Sequence, residues 1–384
     1  MVGWWTAAPA VAADETPVVS AADDPGPLRF SGLGMPLVGA NSIDGLGFGA
    51  AGEVYGRPAE MAYGYRIKFT AQLWTTTRFD YTNNYLQVDS RGQVNWTGRA
   101  GYRAWENLSY AGNGGADVAV LHGDALERGN AVGGPVGLVG LAVPVRASVE
   151  LYGQVYGRQV RATAGPGTLL AADRAFGLGD GVFGELTVGT RIDTTDRWPM
   201  PARGQRIELC VSGGNTWLDG WTPTAAAMVN AIDWTPVWGD RVVVGGRLLA
   251  LATTGTRPFW EREMTAGVWR NELGMETSFT GYGRARSRGD AAVAGLVELR
   301  PKLWTHDAPF WDVSLHASLF AEQGWLFDGW DPGPPLPTVG GGPLVFWQKA
   351  IQMRPFVAVG WTAEGPGQAR RPSLQYSVSF VDPL

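Results

Sequence analysis

The run AYGYRIKFTAQLWTTTR, Ala62 to Arg78, sets Tyr63, Tyr65, Ile67, Phe69, Ala71 and Leu73 on one parity and Gly64, Arg66, Lys68, Thr70 and Gln72 on the other. Side chains that alternate with a period of two belong to a β-strand, because successive Cβ atoms point to opposite faces. A strand in a soluble sheet usually stops after about 5–6 residues. This one keeps its two faces for far longer, so the fold must give each face its own surroundings over a long span.

The pattern recurs along the chain. Ala147, Val149, Leu151, Gly153 and Val155 oppose Ser148, Glu150, Tyr152, Gln154 and Arg158. Ile207, Leu209 and Val211 oppose Arg206 and Glu208, and Trp311, Val313, Leu315, Ala317 and Leu319 oppose Asp312, Ser314, His316, Ser318 and Glu322. Near the end Leu374, Tyr376, Val378 and Phe380 oppose Ser373, Gln375, Ser377 and Ser379. With Gly, Pro, Asn and Asp clusters taken as turns, strands are predicted at 44–56, 62–78, 83–90, 94–104, 132–145, 147–161, 181–193 and 203–215. The series continues at 224–238, 240–254, 260–270, 289–302, 310–325, 338–348, 350–362 and 373–381.

Such lengths suit a membrane. A strand tilted by about 45° needs roughly 9–11 residues to cross the hydrocarbon layer, and closure into a barrel satisfies every backbone donor and acceptor there. The fold expected is therefore an all-β, closed, transmembrane antiparallel β-barrel of about 16 strands. Lipid touches the apolar parity, and the polar parity lines the interior. Trp74, Trp96, Trp234, Trp238, Trp304, Trp311 and Trp361 fall near predicted strand ends, where an interfacial girdle belongs. A water-soluble propeller would need a blade-length repeat, and none is found.

Composition agrees. An apolar content of 45% over 384 residues excludes general disorder, only 17% of residues are charged, and there are 55 Gly and 18 Trp. Net charge is −5 and the basic residues are scattered singly, so no stripe exists for nucleic acid. The single Cys210 excludes a disulfide within the chain, and no Cys/His cluster has zinc spacing; no metal or cofactor is expected. No 18 consecutive apolar residues occur, which excludes a membrane-spanning helix.

At the N-terminus, MVGWWTAAPAVAADETP combines a short apolar run with small residues at Ala10–Ala13, as before a cleavage site at Asp14. No Lys or Arg precedes the run, so an Ala-rich tail is the alternative. The expected organisation is a signal peptide over 1–13, a periplasmic segment over 14–40 and an outer-membrane barrel over 41–384.

Several segments resemble one family. FTGYGRARSRGDAAVAGLVELR, Phe279 to Arg300, is similar to the sixth-loop motif and following strand of the BamA/TamA-like outer-membrane assembly and translocation proteins. SYAGNG (Ser109–Gly114), LFAEQGW (Leu319–Trp325), VGGGPLVFW (Val339–Trp347) and SLQYSVSF (Ser373–Phe380) resemble further family segments in the same order. The resemblance covers about residues 40–381 and implies a loop near 271–289 folded back into the barrel, its tip formed by Phe279, Thr280, Gly281 and Tyr282, with Gly289 and Asp290 leading into the next strand. Two departures stand out. Only about 40 residues precede the barrel, where the family carries polypeptide-transport-associated domains. Thr280 occupies the position of the family's loop-tip arginine, which leaves Arg284, Arg286 or Arg288 to reach the wall carboxylates Glu322 and Glu298, unless that run is a solvated outer loop.

The resemblance also implies a seam between the first and last strands that accepts an incoming strand. Gly45, Gly47 and Gly49 weaken the first strand, or relieve its curvature, and Leu374, Tyr376, Val378 and Phe380 form the last. The partners so implied are outer-membrane lipid, client barrel proteins and a periplasmic or lipoprotein partner. Rival readings are a passive pore lined by Arg66, Lys68, Glu150, Arg158, Glu208, Arg247 and Arg354, and a platform barrel for an envelope complex. Enzymatic activity is not expected. His316 and Ser318 share a face, but that face is the inward one, and no G-x-S-x-G elbow exists.

Overall fold

The computed structural model describes residues 27–41, 45–58, 66–77, 81–112, 117, 119–120, 122, 124–196, 201–218, 220–239, 241–261, 282, 289–306, 313–347, 351–363 and 367–381. Its strands are β1 (Arg29–Asn41), β2 (Gly45–Arg57), β3 (Ile67–Thr76), β4 (Tyr81–Ser90), β5 (Asn95–Leu108) and β6 (Asn130–Arg146). Next come β7 (Val149–Thr163), β8 (Gly179–Asp193), β9 (Gly204–Trp217), β10 (Trp221–Pro236), β11 (Val242–Gly255) and β12 (Ala291–His306). The chain ends with β13 (Val313–Asp328), β14 (Asp331–Pro332), β15 (Leu336–Trp347), β16 (Ile351–Thr362) and β17 (Arg371–Val381). Two short helices, α1 (Asp124–Glu127) and α2 (Leu169–Asp173), lie in loops.

All strands belong to one antiparallel sheet in which each pairs with its neighbours in sequence. The two-residue β14 touches only the end of β13, so β13 and β15 are direct neighbours. β1 meets β17 at a single registered pair, Asn41↔Ser377. The expected closed barrel of about 16 strands is corrected on both points: the described residues hold 17 strands, and no continuous ladder closes the seam.

Two elements differ from expectation. Residues 29–41, expected within a periplasmic segment, form a strand paired along all its 13 residues with β2. Gly32, Gly34, Pro36 and Gly39 obscure its alternation in sequence. The strand expected at 260–270 does not stand between β11 and β12, which pair directly from Val242↔Pro301 to Ala252↔Ala291. Phe259–Glu261 is instead a 3₁₀ turn, and 262–270 lie outside the described residues.

The parity reading holds. On β3, Lys68 and Thr70 are buried while Phe69 and Leu73 are exposed. On β7, Tyr152, Gln154, Tyr156 and Arg158 face inward while Leu151 and Val155 face outward. An exterior of Val, Leu and Phe around a polar interior is the arrangement lipid demands. Short turns join the strands at one end, such as the two residues between β6 and β7, and the long connections 109–129, 164–178 and 256–290 gather at the other. Trp96, Trp238 and Trp304 are exposed at the turn end, and Trp217, Trp221 and Trp330 at the loop end. Trp74 and Trp234, expected in the girdle, face inward: Trp74 packs on the interior aromatic cluster, and Trp234 stacks under the Arg300 guanidinium at 3.8 Å. Trp361 is half-buried, and Trp311 lies outside the described residues.

Candidate functional site

The interior at the loop end is filled by the protein itself. A cluster of Tyr81, Trp105, Tyr110, Tyr156, Phe183 and Trp260 joins wall strands to loop residues. Phe259–Glu261, at the root of the 256–290 connection, lies inside the barrel with all three residues buried. The Phe259 amide donates to Phe176 O at 2.8 Å, and the Trp260 indole donates to Gly177 O at 3.0 Å. Gly177 adopts φ +114°, and a Cβ there would stand 2.7 Å from Pro258 Cβ, so this close approach requires glycine.

Buried charges hold this root to the wall. Glu261 accepts from Tyr156 OH at 3.2 Å and from Arg158 Nη1 at 3.4 Å, and Arg257 pairs with Glu185 on β8. A charge withdrawn from water persists only with a partner, and here each loop charge meets an opposite charge on the wall. Sequence reading placed Arg158 in the lumen but missed Glu261, since that segment looked like a strand.

The 109–129 connection adds to the cap. Ser109, Tyr110 and Ala111 are buried, and the Tyr110 amide donates to Glu127 O at 2.9 Å. Ala119 O accepts from the Ala363 amide at 2.8 Å, and Val120 bridges Ala363, so the loop reaches from β5 to the end of β16.

Of the expected loop tip, Phe279, Thr280, Gly281, Arg284, Arg286 and Arg288 lie outside the described residues. Tyr282 is inside the barrel, 1% exposed, packed with Ala119, Ala292, Ala294, Leu326 and Leu336. Its hydroxyl donates to Pro337 O at 3.1 Å and accepts from the Trp361 amide at 3.3 Å. Asp290 receives the Gly329 amide at 2.9 Å, and Gly289 packs against the Phe327 backbone, so this pair anchors the entry to β12.

The wall carboxylates separate into two environments. Glu298 is fully buried and accepts from Arg300 and Arg354, each at 2.9 Å, and from the Ser318 hydroxyl. Its partners are therefore wall residues. Glu322 is buried on β13 and faces the same interior. Ser318 also accepts from Arg354 at 3.2 Å, and His316 packs edge-on against Phe346, so both residues named for a hydrolase are built into the wall. Across the barrel Lys68 lies 3.6 Å from Glu53 and 3.8 Å from Asp89. The expected lining residues Arg158, Glu208, Arg247 and Arg354 are buried, Glu150 is half-buried, and Arg66 is exposed beyond the start of β3.

At the seam, Gly45, Gly47 and Gly49 sit on β2, one strand in from the edge, a correction of their expected place on the first strand. A Cβ on Gly47 would overlap the Trp74 ring at 2.2 Å, and one on Gly49 would meet Leu73 O at 2.0 Å; both admit β3. Leu374 and Tyr376 on β17 face outward, and Val378 and Phe380 pair with Pro355 and Met353 of β16. Continuing the Asn41↔Ser377 register would set Val381 opposite Leu37; β17 runs close to the C-terminal part of β1 there, yet among the described residues no further pair is registered, and the outer edge of β1 from Arg29 to Ala40 has no ladder partner.

No family model matches the sequence, and no curated protein is similar to it at a significant level. Solved structures are similar in fold. BamA from Haemophilus ducreyi lacking POTRA domains 1–3 superposes with TM-score 0.56 at 15% identity, over 92% of this chain and 70% of that one. CdiB from Escherichia coli gives 0.58 at 12% identity, and CdiB from Acinetobacter baumannii 0.51 at 10%, each over 92% of this chain. The chain spans 62% and 60% of those two CdiB chains. The fold is that of these outer-membrane barrels.

Proposed function

We propose that the chain is a bacterial outer-membrane barrel of the assembly or translocation type, acting with partner proteins at its seam. The observation that carries this reading is the unpaired edge of β1. A row of free backbone donors and acceptors is a template for another strand, and in a bilayer such groups are costly until paired. An incoming client strand adding by β-augmentation would satisfy them. Pro36 within β1 supports an edge position, since a residue without an N–H is tolerated where a strand lacks a neighbour.

A passive pore is the second reading, favoured by the mixed charges of the lining. The inward Phe259–Glu261 turn and the 109–129 loop oppose it, because both occupy the mouth. Purification from the native outer membrane in mild detergent tests the choice. A stoichiometric periplasmic or lipoprotein companion, in a preparation without steady conductance in planar bilayers, is the result expected. A lone barrel that conducts ions overturns the assembly reading.

A further inference from the structure

The longest break within a ladder of sequential strands lies between β15 and β16. Their ladder runs Thr338↔Gly360 to Gly341↔Val357 and resumes at Val345↔Met353, leaving residues 342–344 and 354–356 unregistered. Continuing the register sets Pro343 directly opposite Pro355, so neither offers an N–H at that position. Other interruptions, among them 73–74, 134–135 and 300–301, are shorter. In the first, Asn84 Oδ1 accepts from the Trp74 amide at 2.9 Å and replaces the lost backbone partner.

Side chains span the β15–β16 break instead. Arg354 on β16 reaches over β15 to Glu298 on β12 and Ser318 on β13. Gly340 and Gly342 on β15 leave the passage: a Cβ on Gly340 would stand 2.5 Å from the Phe320 ring, and one on Gly342 would stand 2.0 Å from Pro355 O. Phe356 follows the same route and packs edge-on against Phe320, with centroids 6.1 Å apart. At the loop end, the same register sets Pro337 opposite Trp361. Their direct bond is replaced by the Tyr282 hydroxyl, which touches both. Outside, an apolar hollow of about 530 Å³ crosses this interface, lined by Val297, Leu299, Leu319, Val339, Val357 and Val359.

The geometry points to a lateral gate between β15 and β16. The hairpin of β16 and β17 is internally continuous, with 11 registered pairs, but is tied to β15 by seven that are split by the proline break and to β1 by one. It is a two-stranded panel held shut from within by two side-chain clamps, Arg354 to Glu298 and the Tyr282 hydroxyl between Pro337 and Trp361. Tyr282 belongs to neither strand, so this clamp is supplied by a residue outside the sheet. This inference concerns the wall itself and does not depend on the proposed assembly role.

Hydrogen–deuterium exchange of the full chain in lipid nanodiscs tests it. Tyr282→Phe keeps the ring packing and removes only the hydroxyl. The expected result is that β16 and β17 peptides exchange about tenfold faster than in the parent, with β6–β9 unchanged, since local opening is read out as lost amide protection. Arg354→Gln should act in the same direction. Unchanged exchange in Tyr282→Phe, or acceleration spread equally over β6–β9, overturns the gate. A Val345→Cys, Met353→Cys disulfide in a Cys210→Ser background tests the same point without weakening the fold. Oxidation should slow exchange of β16 and β17 about tenfold, and no change on oxidation overturns the proposal.

Discussion

Arg158 on β7 and Glu261 at the root of the 256–290 connection face each other inside the barrel at 3.4 Å, their side chains 2% and 0% exposed. Residues 103 positions apart are thereby fixed together, and the pair ties the longest loop to the wall. Arg158 also lies 5.4 Å from the Trp260 ring centroid and 5.8 Å from that of Trp105, so its charge is shared with the aromatic cluster.

Arg158→Met is expected to destabilise the barrel by about 3–5 kcal/mol, because it strands a buried carboxylate. Urea unfolding in lipid vesicles measures the loss. The reciprocal exchange, Arg158→Glu with Glu261→Arg, should restore much of it. Equal stability of Arg158→Met and the parent would show that the root is not held by this pair.

Lys68 carries the corresponding role between β2 and β4, where Glu53 and Asp89 flank it. Lys68→Met should cost about 3–5 kcal/mol, and adding Glu53→Gln and Asp89→Asn should recover part of that loss. A triple variant no more stable than the single one would refute the charge argument.

Val155 stands on the outward parity near the middle of β7, 58% exposed. In a bilayer, Val155→Arg should cost about 2–4 kcal/mol, falling as the position moves toward a strand end. Asp180→Asn, which breaks an exposed pair with Arg161 at the loop end, should leave stability unchanged. A harmless Val155→Arg would place that face in water and refute a membrane barrel.

Gly177→Ala should destabilise by about 1–3 kcal/mol, the scale for a non-glycine residue held in a sparsely populated backbone region. The added methyl also meets Pro258 and Trp260. Faster proteolysis at the loop end, with the strands intact, is the accompanying signature. Unaltered proteolysis and stability would mean that the inward turn does not depend on this contact.

Which of these features the sequence could show depends on their range. Parity alone assigns Lys68, Thr70, Tyr152, Gln154 and Glu208 inward, and all are buried. Trp234 has the parity of Asn230 and Ile232, so its inward position was legible; placing it in the girdle gave residue type precedence over register. β1 was hidden because Gly32, Gly34 and Pro36 interrupt its pattern, and its strand state is specified by the 13 pairs it makes with β2. The 260–270 segment misled for the opposite reason: Phe259 and Trp260 carry the apolar signal of a strand, but their burial comes from the aromatic interior.

The sequence by itself determined the period-two strands, their inner and outer faces and the apolar exterior, since each follows from the alternation of Cβ directions along a single strand. Only the tertiary structure decided that β1 belongs to the sheet, that its meeting with β17 is one pair wide, and that Glu298 is held by Arg300 and Arg354 of the wall. Those outcomes depend on register between strands and on loops that turn inward, where residues far apart in the chain pair because a buried charge or backbone group needs a partner.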